Sequence, residues 1–589
     1  MPDYVVLWGD LRAAPAIALL NALTISAREA WTWAVQSNEV AVLVRRTRPA
    51  PVRWLQEMRS LVIGDIWTRG GEAPDLEMLL AHGSPLTQAK TLCAEAWGGY
   101  VALLGHSSEP AIFRDPSGRL EALTWRAGGV TLVASGLPAD LIGAIAPRLS
   151  LDWGRIAEYL AAPANLSGHL ALRGVSALAP GELVHRAEGG ETRIALWTPA
   201  AFVKAEPEPP HIVQGRLVRL VDAAVGAWAK DRGPLLAEVS GGLDSAIVAT
   251  ALARIDDAEV VQWLNYYGRG AESDERVYAQ ALGDLHGLAI TCVAKPFHPI
   301  DAAGLAANAR SVRPSLMGLD YLRDADVAER CRSLGARAIF TGQGGDAIFA
   351  QRLTPLALSD QIRRQGLTSL RPGVLRDLAD WTGNSAWSVL RQALKGPRAG
   401  ARSHGTTGPT FLTAAARPTP AHPWLCDLQD VAPGKRQQIE RLVQSQLVTG
   451  DCRRARATDL IHPLLAQPLV EYSLGIPVDI LTELKRDRSL ARKAFAPRLP
   501  EALVHRRSKG DMTAHYGRWV SASLPFLRGH LLEGRLATQG IIDRPRLEAL
   551  LTSDQLAWGA DYVSILFAAV LEAWVANWEA TCRDLAARR

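Results

Sequence analysis

Apolar positions along this chain change their period once, near residue 210. Before it they come in short runs, Tyr4 to Trp8, Val40 to Val44, Tyr100 to Leu104 and Val130 to Ala134, separated by Gly, Pro and Asp. Short apolar runs between turn residues predict strands. The proline-rich acidic stretch 204-KAEPEPPH-211 predicts an interdomain linker, because proline lacks a backbone donor and stiffens the chain. From Ile212 to Trp228 the apolar residues fall at helical spacing. Then come an apolar run 235-LLAEV-239, a glycine turn 240-SGGLDS-245 and a helical stretch 246-AIVATALARI-255. Strand, turn and helix in that order open a βαβ unit. Further strand candidates are 259-EVVQWLNYY-267, 289-AITCVA-294 and 336-ARAIF-340, with a helix from 274 to 286 after the first. The last runs into a second glycine turn, 341-TGQGGD-346. This alternation predicts an α/β fold with a doubly wound parallel sheet. From 351 onward the pattern reads as helical and ends in 562-YVSILFAAVLEAWVANW-578, whose aromatic residues read as core. The stretch 396-GPRAGARSHGTTGPT-410 reads as a surface loop, either a substrate lid or a tolerated insertion.

Composition narrows the class. Of 589 residues 48% are hydrophobic and 21% charged, which excludes whole-chain disorder. A net charge of +5, with no concentrated basic module, gives no reason to expect a nucleic-acid partner. Only nine of the 65 cationic side chains are lysine, so each lysine can be weighed singly. The six cysteines form no C-x-x-C pair, which argues against zinc and a disulfide framework and fits a reducing cytoplasm. The apolar stretch Ala13 to Ala27 follows Asp3, Asp10 and a single Arg12, without the positive flank of a secretory signal. No apolar run suggests a membrane span.

The turn 240-SGGLDS-245, set between a strand and a helix, carries the strongest chemical signal. Its glycines let the backbone approach a ligand, and the amides at a helix start favour a phosphate. Ser240 and Ser245 add hydroxyl donors, and Gly241, Gly242 and Leu243 complete the loop. Asp244 beside a phosphate would be repulsive without a cation between them, and Mg²⁺ binds one or two carboxylates together with phosphates. A plain tight turn with Asp244 as helix cap is the bland alternative.

The string is not a Walker loop. It resembles the pyrophosphatase loop of the ATP-pyrophosphatase superfamily, and 339-IFTGQGGDAIFA-350 resembles the second nucleotide loop of the asparagine synthetase family. The resemblance extends through 271-AESDERVYAQAL-282, 461-IHPLLAQPLVEYSLGIP-477 and 489-SLARKAFAPRLPEALVHRRSKGD-511. It implies that ATP is bound by residues 240 to 245 with Gly342, Gly344 and Gly345, that Asp244 and Asp346 share Mg²⁺, and that Lys509 is the active-site lysine. An ammonium there would stabilise charge on the phosphorus and on the acyl oxyanion. Segments 97-WGGYVALLG-105, 112-IFRDPSGRLEALTW-125, 132-LVASGLPADLI-142 and 174-GVSALAPGELV-184 resemble the family's glutaminase half, an Ntn-type β-rich sandwich. The expected organisation is therefore an inactive glutaminase-like domain over 1–203, a linker over 204–211 and a synthetase domain with a helical extension over 212–589.

A glutaminase of this type uses a cysteine directly after the initiator methionine, whereas this chain reads Met1, Pro2, Asp3. The expectation is that ammonia is not the nucleophile and that another amine captures the acyl-adenylate. Members with a dead glutaminase half include β-lactam synthetases and lasso peptide macrolactam synthetases. Gln343 stands where asparagine synthetases have glutamate and β-lactam synthetases have tyrosine. A glutamine cannot take a proton near neutrality, whereas a peptide α-amine with a pKa of about 7.7–8.0 needs less help from a base. The resemblance thus implies a lasso peptide cyclase acting on a leader-cleaved precursor peptide, with a leader peptidase and a leader-recognition protein as partners. A β-lactam synthetase-like or other small-molecule amide ligase, a tRNA-modifying adenylating enzyme and an inactive binding scaffold are the alternatives.

Overall fold

The computed structural model describes residues 3–588 except 106–110, 164–165, 167–168, 188–189, 204–207, 269, 271–272, 316–319, 396–407, 414–421, 508–512, 554–555 and 557–560. The N-terminal part builds two six-stranded antiparallel sheets. Tyr4–Trp8 is central in one, between Val40–Arg45 and Val130–Ala134. Ala96–Leu104 is central in the other, between Ser60–Thr68 and Ala111–Arg114. Val6, Val42 and Val133 meet Ile63, Val101 and Ile112 in a shared buried core between the sheets. Alternate residues of the same strands, Val5, Leu7 and Leu43 or Tyr100, Ala102 and Leu104, face outward into two further cores. Helices cover both outer faces, so both sides of each central strand are buried. That explains why these runs are continuously apolar instead of alternating.

Helix α1 (Pro210–Ala229) starts two residues before the predicted position and takes in the end of the proline-rich stretch. Proline suits a first helical turn, where its missing N–H would have no partner anyway. Five strands then form a parallel sheet: β1 (Leu235–Glu238), β2 (Val260–Tyr267), β3 (Ile290–Ala294), β4 (Ala338–Phe340) and β5 (Asp459–Ile461), in the order β3-β2-β1-β4-β5. The fifth lies in the region predicted as helical. The elements that bear on the site are α2 (Leu243–Leu252), α3 (Arg276–His286), α4 (Tyr321–Ser333), α5 (Gly345–Ile348), α6 (Pro433–Ser445), α7 (Gln467–Gly475) and α8 (Ser489–Phe495), and the chain closes with α9 (Tyr562–Ala587). The loop predicted over 396–410 lies mostly outside the described residues. Its described end is anchored: Phe411 and Leu412 are buried, and Thr413 N donates to Ile541 O at 3.1 Å.

Among the described residues α9 alone is long and apolar enough to cross a membrane, and 61% of its most apolar window is buried inside the fold. Phe567, Trp574 and Trp578 of α9 share a core with Val5, Leu7 and Leu43 of the sandwich. Both indole N–H groups donate to Ser311 O, at 2.8 and 2.9 Å. A second junction joins the sandwich to the parallel sheet. Trp228 of α1 lies edge-on to Trp67 at 4.4 Å, with the Arg119 guanidinium 4.6 Å from its ring. Arg119 also pairs with Asp65 at 3.2 Å and with Asp459 of β5 at 3.4 Å. Trp228→Ala should cost about 3–5 kcal/mol. Because the side chain ties both parts together, calorimetry should show the whole unfolding profile shifting down; a shift confined to one transition would contradict that coupling.

Candidate active site

β1 and β4 are neighbours, with Leu235 opposite Ala338 and Ala237 opposite Phe340. Each leads into a glycine turn at its carboxyl end. The connections run toward β2 and β3 on one side and toward β5 on the other, so the strand order reverses between β1 and β4. Open α/β sheets form their ligand crevice at such a reversal.

The first turn is fixed by its own serines. Ser240 Oγ and Ser245 Oγ lie 2.9 Å apart, Ser240 N donates to Ser245 Oγ at 3.1 Å, and Gly242 N donates to Ser240 Oγ at 3.2 Å. Gly241 sits at φ +81°, and a Cβ there would lie 2.5 Å from Glu275 O. The side chain of Leu243 is buried and anchors the start of α2. Arg506 grips the outside of the turn. Its Nη1 donates to Gly241 O at 2.9 Å, its Nη2 meets Glu275 Oε1 at 2.6 Å, and the guanidinium lies 4.0 Å from the Tyr278 ring.

The second turn is pinned from β5. Thr341 Oγ1 shares a hydrogen bond with His462 Nδ1 at 2.7 Å and accepts from Gln343 N at 3.2 Å. Gln343 itself is exposed at the rim. Gly344 is left-handed, at φ +93°. The two turns touch through glycine. A Cβ on Gly342 would lie 2.3 Å from Ser245 N, and one on Gly345 would lie 2.4 Å from Asp244 Cγ. No larger residue permits this approach.

The contact brings the two predicted carboxylates together. Arg488 Nη1 reaches Asp244 Oδ2 at 3.1 Å and Asp346 Oδ1 at 3.4 Å, while its Nε donates to Asp487 Oδ2 at 2.7 Å. Burial alone would favour the neutral guanidine, but Asp244, Asp487 and Asp346 outweigh it and hold the Arg488 pKa above its ordinary value. One buried cationic nitrogen therefore sits between two carboxylates on adjacent loops. Two hard oxygen donors aimed at one cationic centre fit Mg²⁺, which takes one or two protein carboxylates and completes its shell with phosphate and water. Among the described residues no set of three or more His, Cys, Asp or Glu side chains could hold a metal by themselves. The clamp therefore suits a cation that arrives with its phosphates.

The structure thus brings together Ser240, Gly241, Gly242, Leu243, Asp244, Ser245, Gly342, Gly344, Gly345 and Asp346, with Gln343 at the edge. Lys509 lies outside the described residues, three positions after Arg506. Arg488, Arg506 and His462 were not anticipated. All three stand in or beside the segments that resemble the synthetase family, but nothing in their spacing marks them. In the sandwich, Cys93 is the only cysteine before residue 292. It is buried, and burial pushes its thiol up to about 12, far from a thiolate nucleophile.

Asp346→Asn should abolish ATP-dependent pyrophosphate release, since one arm of the clamp is lost; full activity would rule out a shared cation. Gly345→Ala should displace the Asp244 carboxylate and lower the same rate about 10²-fold with an unchanged circular dichroism spectrum. A loss of less than about threefold would show that the close approach of the turns is dispensable.

The Asparagine synthase family matches residues 216–576, a span that contains both turns, the parallel sheet and most of the helical region. Among solved structures the chain overlaps "the allosteric regulatory enzyme of purine biosynthesis" at 10% identity and a TM-score of 0.21, covering 57% of this chain and 88% of that one. It overlaps glutamine phosphoribosylpyrophosphate amidotransferase from B. subtilis at 11% identity and a TM-score of 0.21, covering 74% of this chain and 100% of that one. At those TM-scores neither overlap establishes a shared fold. No curated protein matches. With the family spanning well over half of its length, the chain belongs to the asparagine synthase family, and its synthetase region is that of an ATP-dependent amide-forming ligase.

Proposed function

We propose that this protein is a macrolactam-forming ligase of the lasso peptide cyclase type. It would activate an Asp or Glu side chain of a leader-cleaved precursor peptide and join it to the peptide's own N-terminal amine. A carboxylate oxygen attacks the α-phosphorus of ATP and pyrophosphate leaves. The amine then attacks the acyl carbon, loses a proton and expels AMP, closing an isopeptide ring.

The observation that carries the adenylation half is the convergence of Asp244 and Asp346 on one cationic centre. Bound there, Mg²⁺ would neutralise charge on the α- and β-phosphates. This chain's own residues do the rest. The amides and hydroxyls of 240 to 245 cradle the pyrophosphate, and Gly342 and Gly345 let the second turn close against it. Lys509 supplies an ammonium to the developing charge. Arg506, fixed to Gly241 O, tethers the segment that leads to Lys509.

Two features favour a peptide amine over ammonia. The sandwich's single cysteine, Cys93, is buried with a raised thiol pKa, so this half offers no cysteine thiolate to split glutamine. Gln343 brings no proton acceptor to the second turn, and a peptide α-amine, partly deprotonated near neutrality, needs little general-base help. The leader peptidase and leader-recognition protein expected from the resemblance would supply the processed substrate.

Purified protein with ATP, Mg²⁺ and candidate core peptides should yield AMP and a product lighter by one water, by mass spectrometry. AMP formation with a short β-amino acid and with no peptide would move the assignment to a β-lactam synthetase-like ligase. Lys509→Met should leave nucleotide binding nearly intact while turnover falls by orders of magnitude; a loss of only severalfold would mean that the lysine is a surface residue.

A further inference from the structure

Helix α5, which carries Asp346, has only four residues, Gly345–Ile348. So short a helix cannot hold its own position. Its last carbonyls are met from outside. Gln438 of α6 donates Nε2 to Ala347 O at 3.1 Å and to Ser473 Oγ at 3.0 Å, and Ser473 Oγ of α7 donates in turn to Ile348 O. An amide can turn over, exchanging donor for acceptor, and only one orientation serves these carbonyls. Lys435 decides which. Its Nζ, fully buried one turn before Gln438, donates to Gln438 Oε1 at 2.6 Å and also to Ile476 O just past the end of α7. With Oε1 accepting from Lys435 Nζ, Nε2 faces α5. The lysine is seated in turn by Asp360, whose carboxylate accepts from Gly434 N at 2.7 Å and Lys435 N at 2.8 Å. Gly434 is needed there, since a Cβ would lie 2.7 Å from Asp360 Oδ2.

We propose that Lys435 is a positioning residue for the metal clamp: through Gln438 it fixes α5, and with it the Asp346 carboxylate, at the distance from Asp244 that a divalent cation requires. It is buried and acts through Gln438. The proposal rests on Asp244 and Asp346 as the magnesium site but not on which carboxylate or amine the enzyme joins. Groups that orient metal ligands from behind typically change metal affinity about 10–100-fold when removed.

The test is calorimetric titration of Mg²⁺ into protein saturated with a non-hydrolysable ATP analogue, alongside the Mg²⁺ dependence of pyrophosphate release. Lys435→Met should raise the half-saturating Mg²⁺ concentration about tenfold in both measurements, with the rate at saturating Mg²⁺ within about threefold of the parent. Gln438→Glu is the second variant. It keeps the bond to Lys435 and the volume of the side chain but loses the donor to Ala347 O, and it should weaken Mg²⁺ to the same degree. This variant decides the matter if Lys435→Met fails to fold. A folded Gln438→Glu protein whose Mg²⁺ dependence lies within twofold of the parent overturns the proposal, even if its melting temperature falls, because that is the signature of a structural role alone. A parent protein that takes up no Mg²⁺ with nucleotide overturns the clamp itself and this proposal with it. A normal parent with unaffected variants overturns only this one.

Discussion

Two carboxylates held on adjacent turns repel each other unless a cation lies between them, and the site is organised around that constraint. Asp244 and Asp346 face each other because Gly342 and Gly345 let two backbones approach more closely than any side chain would allow. Arg488 meets that charge requirement. A buried ion pair of this kind adds little net stability, since desolvation offsets most of the attraction. What it provides is a cationic nitrogen shared by the two carboxylates.

Everything behind the turns serves to keep them in register. β1 and β4 run side by side and deliver the turns to the same edge of the sheet. The serine hydroxyls close the first turn on itself, and Arg506 braces it against Glu275. Thr341 and His462 tie the second turn to β5, while Gln438, Ser473 and Lys435 hold α5 from the opposite side. The sandwich contributes from farther away. Its outer faces are completed by α1 and α9, and the Asp65, Arg119 and Asp459 contacts join it to the strand that leads into His462. The two regions of the chain therefore share hydrophobic cores instead of meeting at a thin polar seam.

The legible parts of the sequence were those whose signal is local. Strands such as Tyr4–Trp8 and Leu235–Glu238 are short apolar runs between turn residues, and each glycine turn announces itself by composition. β5 was hidden because three residues, Asp459 to Ile461, carry no period, and it is a strand only because β4, more than a hundred residues earlier, offers it a free edge. Helix α1 could be read from its apolar stripe, but its start inside the proline-rich stretch could not, because proline is compatible with both a linker and a first helical turn. Among the residues of the candidate site, the sequence singled out Asp244 and Asp346 by their glycine turns. Arg488, Arg506, His462 and Lys435 were not, since each acts through a contact with a segment far away in the chain.

The sequence by itself determined the two glycine turns and the strands that lead into them, because those depend on residues within a few positions of one another. Only the tertiary structure decided that the two turns touch, that an arginine from a third segment stands between their carboxylates, and that a buried lysine sets the orientation of the amide behind one of them. Those facts depend on distances between segments a hundred or more residues apart. Such distances are fixed by packing, and packing leaves no periodic trace in the sequence.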